Sequence, residues 1–133
     1  MYDLKKTVEF LRKNAKDRSI GLCATYVRQA MFAGGQSFTP VNYACDYAPT
    51  LLRLGYLPFT ATTTKIIARD YSEFKPGDIV VWQASPGQMP PAGHIQMFDG
   101  KQWISDFTQI SFFPNSSETS PWRKVKYDLF RLS

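Results

Sequence analysis

The strongest constraint on this chain is a change of sequence pattern near Pro58. Before that residue, apolar side chains recur at helical spacing over residues 4–14 and 22–33. A third helical segment spans residues 41–54 and contains Pro49, which predicts a kink or two shorter helices. After Pro58, β-branched and alternating apolar segments predict short strands. Helices followed by an antiparallel sheet define the α+β class.

Four segments of the second half carry the strand signals. They are TTTKIIAR at 62–69, KPGDIVVW at 75–82, GHIQMFDGKQWISDF at 93–107 and KVKYDLFRL at 124–132. In the third segment, the pair Asp99 and Gly100 between apolar runs predicts a tight hairpin. Its two strands would run antiparallel, so their outer ends would be neighbours.

Composition indicates a folded chain with a basic surface. The 133 residues are 44% hydrophobic and 15% aromatic, which predicts a single globular domain over residues 1–133. Sixteen Lys and Arg exceed eleven Asp and Glu, and the net charge of +5 favours polyanionic partners, namely nucleic acid, an anionic membrane surface or an acidic bacterial cell wall. The basic residues are scattered, which argues against nucleic-acid binding. We expect a monomer.

Two further expectations concern location. No apolar run approaches the ~20 residues of a membrane span. The opening segment, MYDLKKTVEFLRKNAKD, lacks the apolar core of a signal peptide. We therefore expect synthesis in the cytoplasm without a signal peptide, so that any action elsewhere needs a separate export route.

Cys23 lies where the polar segment RSIGL gives way to a helix. Free peptide N–H groups and the positive end of a helix dipole favour a thiolate over a thiol. An imidazole within reach would complete a thiolate–imidazolium pair, and Cys23 alkylation would then persist well below the ~8.5 pKa of a free thiol. The Cys23 N–H would help to stabilise an oxyanion. The alternative is a small apolar core residue.

His94 is the only histidine, and it stands at the start of a predicted strand. Asp106 falls near the end of the partner strand, so the hairpin would place the two side chains close together. A carboxylate beside an imidazole fixes its tautomer and stabilises the imidazolium. The alternatives are a packed or surface histidine and a turn or capping aspartate.

Three segments resemble, in their order, the papain-like bacterial cell-wall amidohydrolases of the CHAP and NlpC groups. They are SIGLCATYVRQAM, KPGDIVVW and PAGHIQMFDGKQWISDF. A fourth, VNYACDYAPTLLRLGY, resembles a segment of the compact amidase effectors of type VI secretion systems, with Ala48 in place of the usual glycine. The resemblance implies Cys23 as nucleophile, His94 as base and Asp106 as orienting residue. Many relatives have His, Asn, Gln or Glu at the third position.

The resemblance also implies a substrate and a setting. The expected reaction is cleavage of an amide bond in a peptidoglycan stem peptide or cross-link, such as D-glutamate–diaminopimelate, in the periplasm or wall of a target cell. Tyr26, Trp82 and Trp103 are expected to contact the substrate, although strand aromatics usually pack inward. A cognate immunity protein is an expected partner. No cofactor is expected, and a single histidine excludes a two-histidine zinc site within one chain.

Other functions are left open by the sequence. A muramoyl-L-alanine amidase of a phage or plasmid lysis system would use the same three residues on a different bond. A catalytically inactive wall-binding module would still bind after Cys23 is replaced. A nucleic-acid-binding domain would show a steep salt dependence. Cys45 is expected to be a core thiol without a bridge to Cys23, because such a bridge would disarm the nucleophile.

Overall fold

The computed structural model describes residues 2–133. Its helices are α1 (Leu4–Asn14), α2 (Cys23–Ala33), α3 (Ala48–Arg53) and α4 (Thr63–Ile67), with 3₁₀ turns at Ala44–Asp46 and Pro121–Lys124. Its strands are β1 (Tyr56–Phe59), β2 (Ile79–Trp82), β3 (His94–Phe98), β4 (Trp103–Ile104) and β5 (Tyr127–Leu132). They form an antiparallel sheet in the order β1-β5-β2-β3-β4. The predicted α+β class is confirmed. Within residues 2–133, no helix has the length and apolar character needed to cross a membrane.

Helices α1 and α2 pack closely against each other. Helix α1 begins after Asp3, whose carboxylate accepts a hydrogen bond from the Lys6 N–H as an N-cap. Helix α2 ends at Gly34, where a Cβ would overlap the Thr7 hydroxyl of α1. That hydroxyl donates to Ala30 O at 2.8 Å and so links the two helices. Both predicted helices are confirmed, α1 with the predicted bounds.

The third helical segment is divided, as the proline within it predicts. Helix α3 starts after a 3₁₀ turn and has Pro49 in its first turn, where the missing N–H costs no helical hydrogen bond. The strand predicted over 62–69 is wrong, since α4 forms there. Glu73 accepts hydrogen bonds from the N–H and hydroxyl of Thr62, which fixes the residue before α4. Strand β1 is not predicted by the sequence pattern.

The sheet separates two hydrophobic cores, because adjacent strand residues point to opposite faces. The face toward α2 carries aliphatic side chains of β2 and β3, namely Ile79, Val81, Ile95 and Met97. The other face carries an aromatic cluster that includes Phe74, Trp82, Phe98, Trp103 and Phe112. Trp82 and Trp103 are 0% and 1% exposed, so the expectation that they contact substrate is wrong. They fill the core.

The hairpin after β3 differs from the predicted one. The connection spans residues 99–102, and Asp99 Oδ1 accepts hydrogen bonds from two main-chain N–H groups within it. Strand β4 is only two residues long, so the chain leaves the sheet before Asp106. The following residues, 105–113, form a largely buried loop. This loop takes the place of the long second strand that the sequence predicts.

Candidate active site

Cys23 and His94 line the same cavity, which has a volume of about 370 Å³. Its walls come from the segment before α2, the loop before β3, the 105–113 loop with the residue after it, and the 3₁₀ turn before β5. The other lining residues are Ser19, Gly21, Gln88, Met89, Pro90, Ala92, Gly93, Phe107, Pro114 and Trp122. The fold thus brings together the predicted nucleophile and base from positions 23 and 94.

The loop before His94 is held by the side chain of Gln88. Its amide donates to Gly93 O at 2.9 Å and accepts from the Gly93 N–H at 3.0 Å. Gly93 has a φ of +68°, and a Cβ there would overlap the Trp82 carbonyl oxygen and press on Cys45. Only glycine combines this backbone conformation with so close an approach. The restraint fixes the direction in which β3 begins.

Cys23 is the first residue of α2, as the sequence predicts, and Leu22 precedes it without forming a side-chain cap. Burial raises the pKa of the Cys23 thiol to about 11, against the opposing effect of hydrogen bonds from the Ile95 and Ala24 N–H groups. The nearby charge of Asp106 adds to the rise in pKa. Desolvation therefore opposes the expected resting thiolate, outweighs the hydrogen bonds at the helix start and favours the neutral thiol.

His94 is buried, and its Nε2 lies 2.8 Å from Gln109 Oε1. Burial lowers the pKa of the imidazole, while the Gln109 hydrogen bond and the Asp106 charge oppose that change. The ring of Trp122 stands edge-on to His94 with 6.0 Å between ring centroids. Burial therefore favours the neutral forms of both the thiol and the imidazole.

A buried network of side-chain amides fixes the orientation of Gln109. Its Nε2 donates to Gln96 Oε1 at 3.0 Å and to Ser111 O at 3.1 Å. Gln96 Oε1 also accepts from Trp82 Nε1 at 3.1 Å, which holds that amide in turn. The Gln109 oxygen therefore faces His94, and an amide oxygen can only accept. His94 must carry its proton on Nε2, which leaves Nδ1 as the basic nitrogen.

Asp106 does not take the role predicted for it. The imidazole is bonded by Gln109, and the Asp106 carboxylate instead accepts from the N–H of Ile20 at 2.8 Å and of Leu22 at 3.0 Å. The prediction assumed a second hairpin strand long enough to bring Asp106 opposite His94, and β4 ends too early. Gln109 is the residue that the sequence pattern does not indicate, although the resemblance allows glutamine at the third position.

Two aromatic residues, Phe107 and Trp122, line the cavity, and the sequence pattern assigns Trp122 only to a loop. Tyr26, predicted to contact substrate, lies partly buried one turn after Cys23 and is not part of the cavity lining. Within residues 2–133, no group of three or more His, Cys, Asp and Glu side chains is placed to hold a metal ion.

Two solved structures resemble this chain over nearly its whole length. One is the type VI native effector–immunity complex Tae3–Tai3 from Ralstonia pickettii, with 32% identity, a TM-score of 0.81, and coverage of 99% of this chain and 100% of that chain. This chain belongs to the Tae3 family of type VI effectors. The selenomethionine form of the same complex gives 33% identity, a TM-score of 0.74, and coverage of 93% and 97%. No protein-family model and no curated protein matches the chain.

Membership of the Tae3 family confirms two expectations from the sequence. The chain is a compact type VI effector, and its α+β fold is the small papain-like fold that the quoted segments imply. The assignment to the CHAP and NlpC groups goes beyond what this likeness shows and stays a prediction.

Proposed function

We propose that this Tae3-family chain is a cysteine hydrolase of peptidoglycan that cleaves an amide bond of a stem peptide or cross-link. The observation that carries the proposal is that Cys23 and His94 line one cavity, with Gln109 bonded to the imidazole. The likeness to a type VI effector over nearly the whole chain supports an antibacterial role. The CHAP- and NlpC-like segments support the amide bond as the target.

The proposed reaction begins with the neutral pair. His94 Nδ1 removes the thiol proton while the Cys23 sulfur attacks the carbonyl carbon, which gives a tetrahedral oxyanion and an imidazolium. The N–H of Cys23, at the start of α2, stabilises the oxyanion. The imidazolium then donates its proton to the leaving amine, and a thioester remains on Cys23. Water, deprotonated by Nδ1, then attacks the thioester carbonyl carbon. The C–S bond breaks, the carboxylic acid product leaves, and the imidazolium returns its proton to the Cys23 sulfur.

Gln109 keeps one role throughout this cycle. Its Oε1 accepts the Nε2–H of His94 in both the neutral and the protonated ring, so the ring keeps its orientation as protons move through Nδ1. An amide supplies no negative charge, so it orients the ring and raises the imidazole pKa less than a carboxylate would. This agrees with a mechanism in which proton transfer accompanies the attack on the carbonyl.

The setting is proposed from charge and from the family. A net charge of +5 favours association with the anionic wall at low salt, an effect that salt screens. We assign the site of action to the periplasm or wall of a target cell. Both solved relatives are effector–immunity complexes, which supports a cognate immunity protein as the partner of this chain.

A digest of purified Gram-negative sacculi tests the proposal. Wild type, Cys23→Ala and the matched control Cys45→Ser are incubated with sacculi, and the products are identified by mass spectrometry. We expect new fragments from the wild type and the control, and a rate lower by on the order of 10⁴-fold or more in Cys23→Ala. Split stem peptides identify an endopeptidase, whereas intact released stems identify a muramoyl-L-alanine amidase.

Two other results would contradict the proposal. Equal fragments from wild type and Cys23→Ala would remove Cys23 from the chemistry. Wall binding by both proteins without fragments, on sacculi of several chemotypes, would identify an inactive binding module.

A further inference from the structure

We propose that Asp106 is a positioning residue that anchors the main chain leading into Cys23, and that the 105–113 loop thereby sets both partners of the catalytic pair. Asp106 holds the nucleophile's side of the cavity, and Gln109, on the same loop, holds the base. The inference rests on the proposed function for its catalytic meaning. Its structural part stands on contacts that are independent of any substrate.

The segment before Cys23 has little else to hold it. Ile20 and Leu22 are 46% and 44% exposed, so their side chains are not anchored by burial. Asp106 is 0% exposed, and one of its oxygens, Oδ2, accepts from the N–H groups of both residues at 2.8 and 3.0 Å. The Ser19 hydroxyl lies 3.4 Å from the same oxygen. Charge-assisted hydrogen bonds of this kind are among the stronger ones.

The main chain of Asp106 is tied to the same connection between α1 and α2. Lys16 N–H donates to Asp106 O at 2.9 Å, and the Thr108 N–H donates back to Lys16 O at 3.2 Å. The connection is therefore fixed to the loop at both of its ends, once after α1 and once just before α2. Since Ser19 and Gly21 line the cavity, the anchored segment is also one of its walls.

His94, the second member of the catalytic pair, is held by a residue three positions after Asp106. Gln109 bonds to the His94 ring, as described above. A displacement of the 105–113 loop would therefore move both contacts, and release of the Asp106 contact alone would move only the Cys23 side. A misplacement of about 1 Å between reacting groups can cost about 100-fold in rate.

The chain offers a discriminating pair of variants. In Asp106→Asn, the amide oxygen can replace Oδ2 and accept both N–H groups. Its NH₂ then replaces Oδ1 beside the Ser105 hydroxyl, which lies 3.3 Å from Oδ1 and can accept. Asp106→Ala removes the acceptor. Both variants lack the charge, so a difference between them reports the anchor alone.

Asp78→Asn is the matched control for loss of a buried carboxylate. Asp78 is 1% exposed and accepts from the Lys75 N–H and the Arg131 guanidinium, away from the cavity. We expect Asp106→Ala to lower kcat on sacculi by about 100-fold. Asp106→Asn is expected to stay within about fivefold of the wild type, and Asp78→Asn to keep its turnover. Equal losses in the two Asp106 variants, or no loss in either, would overturn the proposal.

Amide hydrogen exchange separates this proposal from the proposed function. The Ile20 and Leu22 N–H groups should be protected in the wild type and in Asp106→Asn, and should exchange rapidly in Asp106→Ala. Rapid exchange of both groups in the wild type would overturn the anchor even if the enzyme is active. A wild type that protects them but cleaves no sacculus would overturn the proposed function and leave the anchor standing. This second readout also decides the matter if Asp106→Ala does not fold.

Discussion

Cys23 and His94 share a cavity but are held in place by different means. Cys23 is placed by the main chain, at the first residue of a helix whose preceding segment is bonded through its N–H groups to Asp106. His94 is placed by side chains, through the amides of Gln109 and Gln96. The nucleophile therefore depends on one carboxylate and the backbone, and the base on a polar network inside the aromatic core.

Each half of the site is therefore vulnerable to a different kind of substitution. Replacement of a side chain in the amide network acts directly on the imidazole, because Gln109 contacts the ring through its side-chain oxygen. A replacement near Cys23 changes the position of the thiol only if it releases the preceding main chain from Asp106. Buried polar networks are also costly to leave half satisfied, so the His94 side is expected to respond more sharply to single changes.

The largest effect that tests this comparison is expected from Gln109→Ala. The variant removes the acceptor of the His94 Nε2–H, so the ring loses both its fixed tautomer and its orientation. We expect a loss of about 100-fold or more in kcat. Gln102→Ala is the control, since that glutamine is exposed in the connection before β4 and outside the cavity lining. Hydrolysis of sacculi under single-turnover conditions measures both.

The tautomer itself can be measured on one residue. His94 is the only histidine, so ¹⁵N-histidine labelling gives the signals of a single ring. The wild type should show a protonated Nε2 and an unprotonated Nδ1, and Gln109→Ala should show a mixture of tautomers. A wild-type ring protonated on Nδ1 would contradict the assignment of that nitrogen as the base.

The sequence predicts where Cys23 and His94 lie, but it does not predict the hydrogen-bond partner of His94. The start of α2 at Cys23 and the start of β3 at His94 depend on local patterns, namely helical spacing and a strand bounded by Gly93. The partner of His94 depends on where β4 ends, which local pattern does not specify. A long hairpin would bring Asp106 beside His94. Because β4 has only two residues, Gln109 bonds the imidazole instead.

The same division applies to the rest of the fold. Helix α1 and strand β3 have the predicted bounds because their apolar periodicity agrees with their burial. The TTTKIIAR segment contains α4 although its residues favour strands, and Glu73, eleven positions away, accepts hydrogen bonds from Thr62 just before that helix. Trp82 and Trp103 were expected at the substrate because aromatic side chains serve cores and clefts alike. Only the packed structure assigns them to the core.

A smaller effect is expected from pH. Burial lowers the pKa of His94 below its usual value of 6.5, so the imidazole stays neutral as pH falls to 6.5 and gains a proton only below it. Activity should therefore hold at pH 6.5 and fall as pH falls through the lowered pKa. The pKa of His94 is lower in the folded than in the unfolded protein. The stability that the neutral ring contributes is therefore present above the unfolded pKa and is lost as the pH falls through the folded pKa.

Titration of the single histidine by NMR checks this directly. The midpoint should lie below 6.5 in the wild type. It should fall further in Gln109→Ala, because the Gln109 hydrogen bond raises the pKa. A midpoint at or above 6.5 would mean that a charge beside His94 outweighs burial. The Asp106 carboxylate would then have the electrostatic role that its hydrogen bonds do not indicate.

The smallest effect is expected from Cys45→Ser, which tests whether the chemistry belongs to Cys23 alone. Cys45 is a free thiol whose Sγ lies 3.7 Å from Pro91 O, and its N–H donates to Ala92 O next to the cavity wall. A serine keeps that backbone contact and a similar volume, so hydrolysis should change by less than about twofold. Thiol counting on denatured, unreduced protein should give two thiols in the wild type and one in the variant. A loss comparable to that of Cys23→Ala, or a count of zero in active wild type, would show that the two cysteines act together.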